Sequence, residues 1–170
     1  MEQLWLPSFI VQCSFVASAL IYLLIARPVL GKLLTLLMIV ATTLITASLT
    51  LVFNSGPTLL LREYSAGTRH VYFDEIYTNI YTRGGVFFMG AYAGVFLAKY
   101  ESLNISKCDN IIGWLLTTII SMILIHSTYY WNRGQKLPTS MEAAMFASLH
   151  RLIWCAPLIF ILLSCALGRA

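Results

Sequence analysis

Residues 4–53 decide the fold, and they read LWLPSFIVQCSFVASALIYLLIARPVLGKLLTLLMIVATTLITASLTLVF. Two long apolar runs, Leu4–Ala26 and Val29–Phe53, are separated only by an Arg-Pro pair. A helix needs about 20 mostly apolar residues to cross the hydrocarbon core of a bilayer, and each run reaches that length. Lys32 lies near the start of the second run, where its long side chain can reach the interface. This stretch therefore predicts two membrane-spanning helices joined by a tight turn.

The composition shows that the whole chain is as apolar as a membrane protein. Hydrophobic residues make up 59% of the 170 residues and charged residues 11%, against roughly 45–50% and 25% in ordinary globular proteins. The mean hydropathy is +0.79. A soluble fold of this size could not bury so much apolar surface, so lipid is its natural solvent. The 11 Lys and Arg residues lie scattered, without a basic block. This pattern argues against a nucleic-acid partner and favours membrane lipids.

Three further apolar runs follow, at Tyr81–Ala98, Ile111–Tyr130 and Leu149–Leu167. Backbone groups find no water in lipid, so these runs should form helices. None alternates in the way that a transmembrane β-strand requires. We predict an all-α integral membrane protein in which about five transmembrane helices form a polytopic bundle, located in the plasma membrane or the endoplasmic reticulum.

The third run carries small residues at every fourth position, namely Gly90, Gly94 and Ala98. Residues four apart lie on one face of a helix. In lipid, such a face lets a second helix approach closely. The spacing predicts a helix-packing seam, and a groove for a substrate is the alternative.

Polar residues near the starts of two runs are the candidates for chemistry. Arg83 could reach lipid headgroups, pair with Asp74 or Glu75, or hold a ligand. The pair His150-Arg151 is the other candidate, because histidine can move protons and arginine can hold a phosphate or carboxylate. No Cys-x-x-Cys, HExxH, GxSxG or nucleotide-binding glycine motif occurs. The sequence therefore predicts neither a metal site nor a bound cofactor.

The loops carry three weaker signals. Thr139-Ser140-Met141-Glu142 fits a capping box, which predicts a helix start that leads into the fifth run. Tyrosines in residues 54–80 predict a short interfacial helix there. His70 is expected to be solvated, and His126 to belong to an interfacial aromatic belt.

The basic residues divide almost evenly between the two sides of the membrane. The side with the shorter loops carries the set Arg27, Lys32, Lys99, Lys107 and Arg169. Short loops count most in the positive-inside rule, so that side is predicted to be cytoplasmic.

Two stretches resemble a known family. Tyr77 to Gly94 resembles a segment that reads Tyr-x-x-Pro-x-x-Arg-x-x-Pro-Tyr-x-x-Gly-x-x-x-Gly in the nose-resistant-to-fluoxetine proteins of the acyltransferase-3 superfamily, with non-proline residues at both proline positions here. The later stretch AAMFASLHRLIWCAPLIFILLSCALGR is similar to that family's aLhRxxWaxxlxWiixaCxxG segment. The matching residues are Tyr77, Arg83, Gly90, Gly94, Leu149, His150, Arg151, Trp154, Cys165 and Gly168.

The resemblance implies O-acyl transfer in the membrane, with acyl-CoA as a possible donor and a hydroxyl group as acceptor. It implies that Arg83 and Arg151 bind the donor. It also implies that residues 1–170 are the C-terminal part of a larger transmembrane domain, whose missing N-terminal part supplies the family's essential histidine. The chain alone is then expected to be inactive. A non-enzymatic role in lipid or small-molecule transport, or as a membrane scaffold, is the alternative.

Overall fold

The computed structural model describes residues 5–58, 72–99, 106–134 and 137–168. The described chain forms helices and contains no strand, which confirms the all-α prediction. The elements in order are α1 (Trp5–Ala26), α2 (Pro28–Val52), a π-helical segment (Tyr72–Tyr77), α3 (Ile80–Lys99), α4 (Lys107–Ser127), α5 (Tyr129–Asn132) and α6 (Ser140–Ala166).

Within the described residues, four helices are long and apolar enough to cross a membrane. These candidate spans are Leu6–Ala26, Pro28–Val52, Lys107–Asn132 and Ser140–Ala166. The fifth long helix, α3, lies outside this set; it contains Arg83 and several tyrosines and glycines, which lower its hydropathy. The last span begins nine residues before the predicted Leu149, because the capping box at Thr139 starts the helix there. Both members of that box are formed: Thr139 Oγ1 accepts from the Glu142 amide at 3.3 Å, and Glu142 Oε2 accepts from the Thr139 amide at 2.9 Å.

Large apolar side chains cover the outside of the bundle. Phe15 is 76% exposed, Val29 81% and Leu162 67%. Water would disfavour such a surface, whereas acyl chains match it. The outer surface thus agrees with a bundle that is surrounded by lipid.

The interior is built around α2, which packs against α1, α3 and α6, while α4 packs on α6. Leu20, Leu24 and Phe88 form the apolar core. The buried face of α2 carries four threonines, at positions 35, 42, 46 and 50. Their hydroxyls donate to carbonyls of their own helix, and Thr46 also lies 3.2 Å from the Thr82 carbonyl oxygen of α3. Threonine therefore lines the α2–α3 contact without leaving a bare hydroxyl in the apolar interior.

Close helix approach occurs at glycines other than the predicted ones. A Cβ atom at Gly90 or Gly94 would meet nothing within 4 Å, and Ala98 is exposed. The prediction that this face packs against another helix is therefore not met within the described chain. The reason is that α3 turns Phe88 toward the core, and Gly90 lies about 200° further round the helix. The close approaches are instead at Gly31, Gly85 and Gly113, where a Cβ would overlap Leu24, Thr42 and Phe160 respectively.

The helices alternate in direction. One residue joins α1 to α2, Thr46 near the end of α2 contacts Thr82 near the start of α3, and Gly113 near the start of α4 lies against Phe160 near the end of α6. The carboxyl-terminal ends of α2 and α4 therefore lie at the same end of the bundle as the starts of α1, α3 and α6. Ser140 at the start of α6 donates to Asn54 Oδ1, just beyond α2, at 2.9 Å. We call this end the α6-start end.

Candidate functional site

A cavity of about 730 Å³ opens at the α6-start end of the bundle. Its walls come from four of the six α-helices (α1, α3, α5 and α6), from the π-helical segment, from the chain after α2 and from Thr128, which lies between α4 and α5. The lining residues are Phe9, Thr58, Tyr72, Tyr77, Arg83, Val86, Phe87, Thr128, Asn132, Phe146, His150, Arg151 and Trp154. The volume lies within the roughly 300–1,000 Å³ typical of small-molecule sites. We call this space the arginine cavity.

The structure brings all three polar candidates of the sequence together here. Arg83 comes from the first turn of α3, and His150 and Arg151 come from α6, 67 and 68 positions later in the chain. A cavity with one apolar wall and two guanidinium groups is suited to a molecule that has an apolar part and a negative charge. Among the described lining residues there is no Asp or Glu.

Arg83 is held by an aromatic ring. Its guanidinium carbon lies 3.4 Å from the centroid of the Tyr77 ring. The ring contact orients the guanidinium group at the edge of the cavity, since cations prefer the face of an aromatic ring.

Arg151 approaches Tyr77 from α6 and also contacts Tyr72. Its Nη2 donates to the phenol oxygen of Tyr72 at 3.4 Å, and its guanidinium carbon lies 5.7 Å from the Tyr77 ring centroid. Its Nη1 is buried and finds no hydrogen-bond acceptor among the described residues. A guanidinium group carries five N–H donors, so Arg151 retains donors for a ligand.

Tyr72 is the anchor for Arg151. It is only 3% exposed, and its hydroxyl donates to the Pro57 carbonyl oxygen at 3.5 Å. Burial raises the pKa of Tyr72 above its ordinary value, although the Arg151 guanidinium opposes this shift. The phenol therefore stays protonated at neutral pH, so it can donate to Pro57 and accept from Arg151 at once.

His150 presents a defined face to the cavity. Its Nδ1 lies 2.6 Å from the Phe146 carbonyl oxygen one turn earlier, and its ring stacks on the Phe146 ring with centroids 4.8 Å apart and planes 2° apart. A carbonyl oxygen can only accept, so Nδ1 carries the proton in this bond. In the neutral ring, Nε2 then holds a lone pair.

Several contributors to the site carried no decisive sequence signal. Tyr72 and Phe146 lie in segments that read simply as interfacial and apolar, and only the three-dimensional contacts assign them to the cavity. The π-helical turn from Tyr72 to Tyr77 places both tyrosines toward α6; such turns often occur at functional sites.

His126 does not line the cavity: it is exposed, and its Nδ1 bonds the carbonyl oxygen of Met122 in its own helix. His70 lies outside the described residues.

A second, smaller space adjoins the first. It measures about 330 Å³ and is lined by Leu124, Trp131, Glu142, Met145, Phe146, Leu149, His150 and Ile153. Phe146 and His150 belong to both linings, so their stacked rings form the partition. This apolar groove runs between α4 and α6.

The lining chemistry favours an anion over a metal. Within the described ranges, no group of three or more His, Cys, Asp or Glu side chains is arranged to hold a metal ion. The guanidinium groups would repel a cation and attract a phosphate or carboxylate. No family model, curated protein or solved structure matches the chain.

Proposed function

We propose that this chain is part of a membrane protein of the O-acyltransferase type, and that the arginine cavity holds a phosphate-bearing amphiphile used in acyl transfer. The observation that carries the proposal is the convergence of Arg83 and Arg151 on one cavity with an apolar wall. Both residues belong to the two stretches that resemble the nose-resistant-to-fluoxetine proteins. Acyl-CoA, which combines phosphates with an acyl chain, is a donor of the required chemistry.

The test is binding of radiolabelled palmitoyl-CoA to the purified chain in nanodiscs. We expect saturable binding, weakened at least about tenfold by R83Q or R151Q, because each removes charge-assisted hydrogen bonds to phosphate. R133Q is the matched control. Arg133 is exposed, also lies over a tyrosine ring (4.8 Å to the Tyr129 centroid), and does not line the cavity. Absence of saturable binding, or an equal loss in R133Q, would contradict the proposal.

Turnover should be absent from the 170-residue chain even when the donor binds. The family resemblance assigns the essential histidine to a region that matches nothing here, and general acid–base help typically contributes about 10²–10⁴-fold to such a reaction. The assay supplies labelled palmitoyl-CoA with lipid or sugar acceptors and follows the acylated product. Robust turnover that disappears in H150A would show that His150 is the base and that the chain is an enzyme by itself.

A second function, non-enzymatic handling of lipids, is favoured by a different observation. The apolar groove between α4 and α6 adjoins the arginine cavity across the Phe146–His150 partition. A lipid could place its head in the cavity and a chain along the groove without any reaction. Transfer of a fluorescent phospholipid between the leaflets of liposomes that contain the chain would support this function.

A further inference from the structure

We propose that the ligand of the arginine cavity is an anionic phospholipid whose headgroup carries a hydroxyl beside its phosphate, with the phosphate at Arg83 and Arg151 and the hydroxyl at Nε2 of His150. The inference rests on the proposed function, because it uses the same cavity and names the molecule within it. Such a headgroup also contains the hydroxyl that O-acyl transfer needs as an acceptor.

The positive charge of the cavity favours a ligand that carries a phosphate group. Arg83 and Arg151 approach from different helices, and both guanidinium groups contact the Tyr77 ring. Arg151 Nη1 is buried without an acceptor among the described residues, so a phosphate oxygen that accepts from it would satisfy a buried donor. A phosphodiester offers oxygens for a two-pronged bond to a guanidinium group.

His150 favours a headgroup that carries a hydroxyl. With the Nδ1 proton bonded to the Phe146 carbonyl, the neutral ring has its lone pair on Nε2 and can accept from an O–H group. A headgroup with an ammonium, such as choline or ethanolamine, would instead bring a third positive charge into a cavity that holds two. The two residue types together therefore favour a glycerol- or inositol-like headgroup.

The position of the cavity favours a lipid over a soluble phosphate compound. It lies at the end of the bundle where Tyr129, Tyr130 and Trp131 follow α4, and such aromatic residues mark the level of lipid headgroups. A phospholipid reaches this end from the surrounding leaflet.

The experiment compares four soluble probes by calorimetric titration of the detergent-solubilised chain: dioctanoyl phosphatidylglycerol, dioctanoyl phosphatidylmethanol, dioctanoyl phosphatidylcholine and palmitoyl-CoA. Phosphatidylmethanol has the same phosphodiester charge as phosphatidylglycerol and no headgroup hydroxyl. We expect phosphatidylglycerol to bind about three- to tenfold more tightly than phosphatidylmethanol, and at least about tenfold more tightly than phosphatidylcholine.

Variants then test whether the preference among lipids comes from His150 Nε2 and from the Arg151 guanidinium group. H150F keeps the stacked ring and removes Nε2, so the preference for phosphatidylglycerol over phosphatidylmethanol should disappear while phosphatidylmethanol binds as before. R151Q should weaken both anionic lipids at least about tenfold, and R151K less, because it keeps the charge and loses the fork. The matched controls are H126F and R133Q. Outside the cavity, His126 Nδ1 bonds a carbonyl one turn earlier as His150 does, and Arg133 lies over a tyrosine ring as Arg151 does. Both should bind like the wild type.

The outcomes separate this inference from the proposed function. Equal affinities for phosphatidylglycerol and phosphatidylmethanol, or a preference that survives in H150F, would overturn the inference. Tight binding of palmitoyl-CoA without phosphatidylglycerol binding would also overturn it and would leave the proposed function standing. Phosphatidylglycerol binding without palmitoyl-CoA binding would support the inference and remove the support for an acyl-CoA donor. Size-exclusion profiles of each variant verify that it is folded.

Discussion

At the residue scale, Tyr77 is the point at which the two cavity arginines meet. One guanidinium carbon lies 3.4 Å from its ring centroid and the other 5.7 Å. Two like charges in a membrane-embedded protein repel each other, and an aromatic face reduces this repulsion without adding a negative charge. The Tyr77 ring is therefore a contact that both cations share.

Substitution of Tyr77 tests this role. Y77L removes the aromatic face and should lower the free energy of unfolding by about 0.5–2 kcal/mol, the usual range for a cation–π contact. Y77F keeps the face, so its effect should be smaller. The measurement is thermal unfolding of the detergent-solubilised chain by circular dichroism. Y129L removes the ring beneath the exposed Arg133 and serves as the control; a loss as large as that of Y77L would contradict the interpretation.

At the element scale, α3 shows how bulky residues decide which face of a helix enters the core. Phe88 is 3% exposed, and Tyr92 and Val95 on the same face pack around it. The small-residue face of Gly90 and Gly94 is turned outward as a consequence. The large apolar side chains of α3 therefore decided which face of the helix enters the core, and the regularly spaced small residues did not.

Paired glycine substitutions distinguish the two faces. A Cβ at Gly31 would lie 2.6 Å from the Leu24 Cα, and backbone cannot move aside easily. G31A should therefore destabilise the chain by about 1–3 kcal/mol, as overpacking does. G94A meets open space and should leave stability unchanged or raise it, by up to about 1 kcal/mol from helix propensity. Thermal unfolding of both variants gives the comparison, and the reverse order would show that the helices pack differently.

The capping box at the start of α6 gives a second prediction for an element. T139A removes the side-chain oxygen that accepts from the Glu142 amide, and should cost about 0.5–2 kcal/mol. S140A removes the neighbouring hydroxyl, which is outside the box and bonds Asn54, so it should cost less. Chemical unfolding curves in mixed micelles measure both. Equal stabilities of T139A and the wild type would show that the box does not stabilise α6.

At the scale of the whole molecule, the alternation of helix directions places every polar candidate at one end. The cavity is lined by residues of α1, α3, α5 and α6 and of the π-helical segment, so it exists only when all of these elements pack together. The opposite end carries the short connections with their scattered lysines and arginines. The two ends of the bundle therefore differ in chemistry, and the positive-inside rule predicts that the arginine cavity lies on the non-cytoplasmic side.

Cysteine labelling measures this orientation. Cys108 is exposed near the start of α4, at the end opposite the cavity. A membrane-impermeant maleimide should label it only from the cytoplasmic side. A cysteine introduced by R133C, in a chain whose exposed Cys108 and Cys165 are both replaced by Ser, should react only from the other side. Labelling with the two sides exchanged would contradict the predicted orientation.

Membrane extraction tests the embedded character itself. The outward apolar surface and the four long apolar helices predict that alkaline carbonate leaves the chain in the membrane pellet. Recovery in the supernatant would contradict an integral membrane fold.

The sequence by itself determined the features that depend on local chemistry. Apolar length and composition specified the all-α membrane class, because a backbone in lipid must satisfy its own hydrogen bonds. The Thr139–Glu142 spacing specified where α6 begins, because a capping box forms within four residues. Arg83, His150 and Arg151 were identifiable as polar residues in apolar surroundings.

The tertiary structure alone decided that these three share one cavity, that Tyr72 and Tyr77 hold the guanidinium groups, and that the Gly90–Gly94 face turns outward. The convergence of Arg83 with His150 and Arg151, and the contacts of Arg151 with the two tyrosines, join residues more than 60 positions apart, and no local spacing encodes such contacts.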